Sequence, residues 1–143
     1  YMNEALKEAS KAFDRGEVPV GAVIVHKKRV IARAYNQIKL LKDPTAHAEI
    51  LALREAGERT GNYRLEDADL YVTLEPCPMC IGAMVHARVS RLVYGAPDPR
   101  TGSAGSVFDL ACNDALNHCI SVEAGLLAEQ SSSLLRDFFK SRR

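Results

Sequence analysis

The sequence predicts an α/β fold, and three observations predict it. Apolar runs of strand length alternate with stretches of helical periodicity. Two such runs, 19–25 and 29–35, are split by a short polar turn, which is the pattern of a hairpin. Between 68 and 95 a strand, a helix and a strand follow one another, the order of a parallel pair. At 143 residues, 47% hydrophobic and 26% charged, the chain suits one domain over 1–143 with enough length for a core.

The elements follow in order. Met2 to Arg15 reads as an amphipathic helix, with Met2, Ala5, Leu6, Ala9, Ala12 and Phe13 at helical spacing and Gly16 as its stop. Pro19 to Val25 is nearly all apolar, as in a strand buried on both faces. His26-Lys27-Lys28 is a polar turn with His26 solvated, and Arg29 to Tyr35 is the returning strand. Asn36 to Asp43 is polar and irregular. His47 to Arg59 is a helix burying Ile50, Leu51 and Leu53, ended by Gly61-Asn62. Ala68 to Leu74 is a third strand. It leads into a helix from Pro78 to Arg88, with Met79, Met84 and Val85 in the core and His86 structural or exposed. Arg91 to Gly95 is the fourth strand, and 96–106 is a loop rich in Pro, Gly and Ser. Val107 to Cys112 is expected as a short helix and Ile120 to Glu123 as the last strand. Leu126 to Arg143 is a terminal helix burying Leu127, Leu134, Leu135 and Phe138.

Composition excludes some functions. The net charge of +1 gives no global pull toward nucleic acid. No apolar run is long enough to cross a membrane, and no secretory pattern opens the chain. Four cysteines without an extracellular signal fit a reducing compartment, hence the cytoplasm, with Cys112 and Cys119 as free thiols.

Two stretches carry the chemistry: Ala46-His47-Ala48-Glu49 and Pro76-Cys77-Pro78-Met79-Cys80. Zinc is held by thiolate and imidazole. Cys77 and Cys80, three apart, share a face on a helical turn, and His47 supplies a third ligand from a separate segment. Three protein ligands leave one tetrahedral position open, the property of a catalytic site. His47 and Glu49, two apart, do not share a helix face, so both reach one point only if it lies beyond the helix N-terminus. Pro44-Thr45 suits that start, with Thr45 as cap. Pro78 suits the first turn of the other helix. A zinc ion between two helix N-termini follows, with Glu49 as the acid beside it. The full pattern, H-x-E followed by P-C-x-x-C, is the signature of zinc deaminases.

Neighbouring loops are candidates for substrate contact. Asn36 either bonds a substrate or caps the strand end. Asp98 lies in the loop after the fourth strand, where ligands of open α/β sheets bind; the alternative is a solvated turn. Arg136, Lys140 and Arg143 line one face of the last helix, beside Phe138 and Phe139. Basic residues with aromatics suit a single-stranded RNA, while cations there also complement the helix dipole.

With these motifs placed, the chain resembles the bacterial tRNA-specific adenosine deaminases of the cytidine-deaminase-like fold over nearly its whole length. Besides the zinc signature, the resemblance rests on Glu17-Val18-Pro19-Val20-Gly21-Ala22, Asp43-Pro44-Thr45 and Tyr71-Val72-Thr73-Leu74-Glu75. It also includes Thr101-Gly102, Ala104-Gly105-Ser106 and Asp137-Phe138-Phe139-Lys140. It implies a three-layer α/β/α architecture with a mixed five-stranded sheet flanked by helices. It also implies one zinc per chain on His47, Cys77 and Cys80, Glu49 as proton shuttle, and a homodimer. The implied reaction is hydrolysis of the wobble adenosine of the tRNA anticodon to inosine at C6. By the same resemblance Asn36 and Asp98 touch the flipped nucleotide. For the implied reaction, backbone amides near Ala48 and Pro76 are further candidates to line the base. Phe13 stands where some relatives carry a larger aromatic; with Phe139, Arg136 and Lys140 it joins the expected substrate contacts. Ile38 stands where others carry proline. Two other readings remain. A deaminase of free guanine or cytosine compounds would share the metal and Glu49. A zinc-stabilised RNA-binding module would need a fourth protein ligand from His86, His118, Cys112 or Cys119 and would leave Glu49 without a role.

Overall fold

The computed structural model describes residues 1–142; Arg143, expected on the basic face of the last helix, lies outside the described residues. Five strands form one sheet in the order β2-β1-β3-β4-β5. They are β1 (Gly21–His26), β2 (Arg29–Tyr35), β3 (Ala68–Leu74), β4 (Arg91–Ala96) and β5 (Ser121–Ala124). β1 is antiparallel to both β2 and β3, while β3, β4 and β5 run parallel. The expected hairpin and parallel pair are therefore both present, joined through β1.

The alternation of side chains along the strands divides the core in two. Val23, Val25, Tyr71 and Val93 point to one face and pack with Met2 and Ala5 of α1 (Met2–Asp14). Ala22, Ile24, Leu70, Val72 and Leu92 point to the other. There they meet Ala48, Ala52 and Ala56 of α3 (Ala48–Thr60) and Cys80, Ile81 and Met84 of α4 (Pro78–Ala87). α5 (Ala128–Ser141) joins α1 on its side of the sheet. Helices on both faces make the three layers. Gly21 lets α1 come this close, because a Cβ there would overlap the Ala5 carbonyl and crowd Ala9.

Several expectations need correction. Residues 107–112 form no helix. The Val107 and Phe108 N–H groups donate back to the Gly102 carbonyl and Leu110 N–H to Ser103, so no helical ladder can form. The stretch after Asn36 is not wholly irregular: Ile38–Leu41 makes one helical turn, α2. The buried carboxylate of Glu17 accepts the N–H groups of Lys39 and Leu40 at 3.1 and 2.8 Å and holds that turn. Ile50, Leu51 and Leu53 are half-buried, as are Leu127, Leu134 and Leu135; the fully buried apolar positions of α3 are alanines. Thr45 does not cap α3. Its N–H and hydroxyl bond the Asp43 carboxylate, and His47 is the N-cap residue. Cys112 and Cys119 are not free thiols: their Cα atoms lie 4.2 Å apart and the sulfurs are joined in a disulfide. The hydrogen bond from Ile120 N–H to Ala111 O brings them face to face.

Candidate active site

α3 and α4 begin side by side, and both beginnings point at one place. His47 is the N-cap of α3 and Cys77 the N-cap of α4, with Pro78 in the first turn where its missing N–H is not needed. The ligand atoms of His47, Cys77 and Cys80 all lie within 4.8 Å of one another. His47 Nδ1 is 3.7 Å from Cys77 Sγ and 3.5 Å from Cys80 Sγ. Zinc legs of about 2.3 Å to sulfur and 2.0 Å to nitrogen, opened to a tetrahedral angle, require a sulfur–nitrogen separation of about 3.5–3.6 Å. His47 Nδ1 thus stands close to that spacing from both sulfurs, and the chemistry of the three donors suits that ion.

Electrostatics prepares the donors. The Cys77 thiol is pulled down to about 4, first by a hydrogen bond from Cys80 and also by His47. The helix N-terminus at which it sits adds to this. The same hydrogen bond to Cys77, with burial, pushes the Cys80 thiol up. His47 is raised, chiefly by its hydrogen bond to Cys77. One thiolate therefore stands ready, and a metal arriving at the site displaces the remaining protons.

Glu49 lies in the first turn of α3, only 3% exposed. Its Oε1 is buried without a hydrogen-bond partner, and burial raises its pKa. A buried carboxylate that holds a proton more readily than usual, next to three ligands, is equipped for proton transfer. Glu49, His47 and Cys77 line a cavity of about 220 Å³ together with Asn36, Leu74 and Asp98.

The remaining expected site residues divide. Asn36 is buried and its Oδ1 accepts the Ala48 N–H at 2.8 Å, so it clamps the start of the metal helix while it lines the cavity. The Ala48 N–H is thereby engaged and is not a free donor to a base. Asp98 borders both this cavity and an adjacent one of about 310 Å³ lined by Arg100, Leu135 and Phe139. The Asp98 carboxylate accepts bonds from the Arg100 and Thr101 N–H groups and the Thr101 hydroxyl. Phe13 is not at either cavity; its ring packs edge-on against Phe138 at 5.7 Å between α1 and α5. Arg136 is paired with Glu129 at 2.7 Å on its own helix, and Lys140 is exposed. None of the candidate fourth protein ligands joins the three: His86 is exposed, His118 Nε2 bonds the Val89 carbonyl at 2.7 Å, and Cys112 and Cys119 bind each other. The residues that sequence reasoning missed are Glu17 and Glu75, both 2% exposed and both tied to loops that border the cavity. An acid embedded in an otherwise apolar strand end, as in Leu74-Glu75-Pro76, was the available signal.

Known proteins resemble this chain over most or all of its length. The family model of MafB19-like deaminases matches residues 1–143. The chain is 48% identical over 143 residues to the tRNA-specific adenosine deaminase of Bacillus subtilis, covering 100% of this chain and 89% of that one. A solved structure from studies of A-to-I editing by tRNA:A34 deaminases at the wobble position superposes with a TM-score of 0.92 at 47% identity. It covers 94% of this chain and 98% of the other. A guanine deaminase from Nitrosomonas europaea shares the fold at a TM-score of 0.79 but only 25% identity, over 96% and 81% of the two chains. With three donors suited to zinc within 4.8 Å of one another, a buried acid beside them and this likeness over the full length, the chain belongs to the tRNA-specific adenosine deaminases of the MafB19-like deaminase family.

Proposed function

We propose that this protein hydrolyses adenosine to inosine at the wobble position of the tRNA anticodon, using one zinc per chain. The observation that carries the reaction is Glu49: a buried carboxylate oxygen without a partner, lining the same cavity as His47 and Cys77. The substrate is carried by the name of relatives nearly half identical to this chain. His47, Cys77 and Cys80 would hold the metal. Zinc there would supply Lewis acidity, enough to make a water ionisable near neutral pH.

The chain's own residues do the rest. Glu49 takes a proton from the attacking water and delivers it to N1 of the adenine. The water oxygen bonds to C6, the bond from C6 to the exocyclic nitrogen breaks, and ammonia leaves with a second proton passed on by Glu49. Asn36 and Asp98 border the cavity where the flipped base would sit. Flipping costs little in an anticodon loop, whose bases are already partly unstacked. The adjoining cavity, with Arg100 and Phe139, suits a neighbouring nucleotide by charge and stacking. Lys140 is the freer of the two cations proposed on α5, since Arg136 is engaged by Glu129. Phe13 acts at one remove, by packing α1 against Phe138 of α5.

A homodimer is part of the proposal. Ile50, Leu53, Ala83 and Ala87 on the outer sides of α3 and α4 line an apolar groove of about 420 Å³ with Tyr63, which is 72% exposed. A second copy covering these metal helices would bury it. Leu53→Glu should then yield a monomer by sedimentation. The cytoplasm, where tRNA is modified, is the proposed location; it rests on the substrate and not on the cysteines, two of which form a disulfide. The deciding experiment incubates the zinc-loaded protein and its Glu49→Gln variant with total tRNA and with free nucleosides and bases, scoring inosine and ammonia. The expected result is inosine in tRNA only, lost by at least about 10²–10⁴-fold in the variant while zinc and RNA binding persist. Near-normal turnover by Glu49→Gln, or deamination of free bases alone, refutes the proposal.

A further inference from the structure

A second buried carboxylate, Glu75, faces the cavity, and the reaction makes no use of it. It leaves the end of β3 one residue before Pro76-Cys77 and is 2% exposed. Among the described residues, no lysine or arginine is a hydrogen-bond partner of its carboxylate. Its Oε1 accepts the Asp98 N–H at 3.0 Å, and its Oε2 accepts the N–H groups of Ala104 and Ser106 at 3.0 and 3.1 Å. The Ser106 hydroxyl donates to it as well. A buried carboxylate is costly unless donors converge on it, and here three backbone amides do so from one loop. Gly102 completes the cradle, since a Cβ there would overlap the Glu75 carboxyl group and the Asp98 carbonyl. The backbone on either side is fixed too: Glu75 N–H donates to Ala96 O and Ser103 N–H to Pro76 O. The whole stretch 97–106 is thus wound around one side chain, and that stretch carries Asp98 and Thr101 to the cavity of Glu49 and His47.

We propose that Glu75 is a positioning residue for the substrate: by gathering the amides of loop 97–106 it sets where Asp98 meets the nucleotide, and it moves no proton in the reaction. The inference rests on the reading of Asp98 as a substrate contact. Glutamine is the informative replacement. It has the same shape but one acceptor oxygen instead of two, so its NH2 group must face a backbone N–H and the loop shifts. Misplacing a substrate contact by about 1 Å can cost up to roughly 100-fold.

The test measures steady-state deamination of an anticodon stem-loop by the zinc-loaded protein. Glu75→Gln should raise KM by about 10–100-fold, with kcat within about threefold and zinc stoichiometry unchanged. Ser106→Ala removes only one of the bonds and should move KM the same way by less; it carries the test if Glu75→Gln does not fold. Asp98→Ala should raise KM by itself, and in that background Glu75→Gln should add almost nothing, because the group it positions is gone. If the two effects multiply, or if kcat falls while KM holds, Glu75 does not act through Asp98 and the proposal is overturned. If Asp98→Ala leaves KM unchanged, the substrate contact itself is refuted and the proposal falls with it. If Asp98→Ala raises KM while Glu75→Gln and Ser106→Ala do not, the contact stands and the role of Glu75 alone is refuted.

Discussion

Asn36 serves two purposes that one pair of variants can separate. Its Oδ1 holds the Ala48 N–H at 2.8 Å, one of the orphan donors at the start of the metal helix. Its side chain also lines the cavity of Glu49. Asn36→Ala removes the acceptor and leaves a buried helix-end N–H unpaired. Such losses cost about 1–2 kcal/mol. For a chain of this size the melting temperature should fall by about 3–8 °C. Asn36→Asp keeps an acceptor at the same distance and adds a negative charge at a helix N-terminus, worth about 0.3–1 kcal/mol. Because position 36 is buried and lines the cavity of Glu49, burying that charge offsets part of the gain, and its melting temperature should lie above that of Asn36→Ala without exceeding that of the parent. The aspartate lacks the NH2 group, so if Asn36 also donates to the substrate, its activity stays low although the Ala48 N–H is paired again. Calorimetry and single-turnover deamination on the three proteins give both numbers. If Asn36→Ala melts like the parent, the clamp is refuted. If Asn36→Asp recovers activity along with stability, Asn36 works only through α3.

Three further outcomes follow from the same geometry. Removing zinc by a chelator should abolish deamination and lower the urea midpoint, and Cys80→Ala should weaken zinc by more than the roughly 10–100-fold lost with a supporting partner; elemental analysis reads the second and re-addition of zinc the first. The Cys112–Cys119 disulfide closes a short ring, with a separation of 7 residues, and chain entropy gives it about 2.5 kcal/mol. Reductant should lower the urea midpoint of the parent accordingly and leave Cys112→Ser/Cys119→Ser unaffected. Lys140→Ala should reduce the salt slope of log binding to an anticodon stem-loop by about 0.7–0.9. Arg136→Ala should reduce it less, because Glu129 already holds that guanidinium.

Much of the site was legible because its chemistry demands particular residue types at particular spacings. Two thiolates three apart, and a histidine two before an acid, leave few arrangements, and two helix N-termini meeting at one point is the one found. The hairpin and the parallel pair followed from runs of apolar residues, which local pattern records well. What stayed hidden depends on partners distant in sequence. Glu17 and Glu75 hold loops 22 to 31 residues away, and nothing local to either says so. The disulfide needs a turn that faces Cys112 toward Cys119, and the turn is made by the Ala111–Ile120 bond, not by a motif. A short helix was expected over 107–112, but the amides of Val107, Phe108 and Leu110 bond carbonyls of the loop before them. Ile50 and Leu53 looked like core because they are apolar. Alanines take the inner positions of α3, and the larger side chains face the outer groove.

The two rims of the sheet bear on how the protein behaves when concentrated. An open rim invites a strand from another molecule and, repeated, a fibril. A formal charge of +1 gives little mutual repulsion to prevent this. Protection falls to the rims themselves. β5 has only four residues, all exposed, and its Glu123 reaches Arg91 at 3.4 Å, so a docking strand finds a short ladder and a charge. β2 presents Arg29 and Arg33, the latter pinned by Glu4 at 3.0 Å. Colloidal stability here resides in a handful of charged positions at the margins of the sheet, none of them lining the cavity of Glu49, and it can be lost without any change in chemistry.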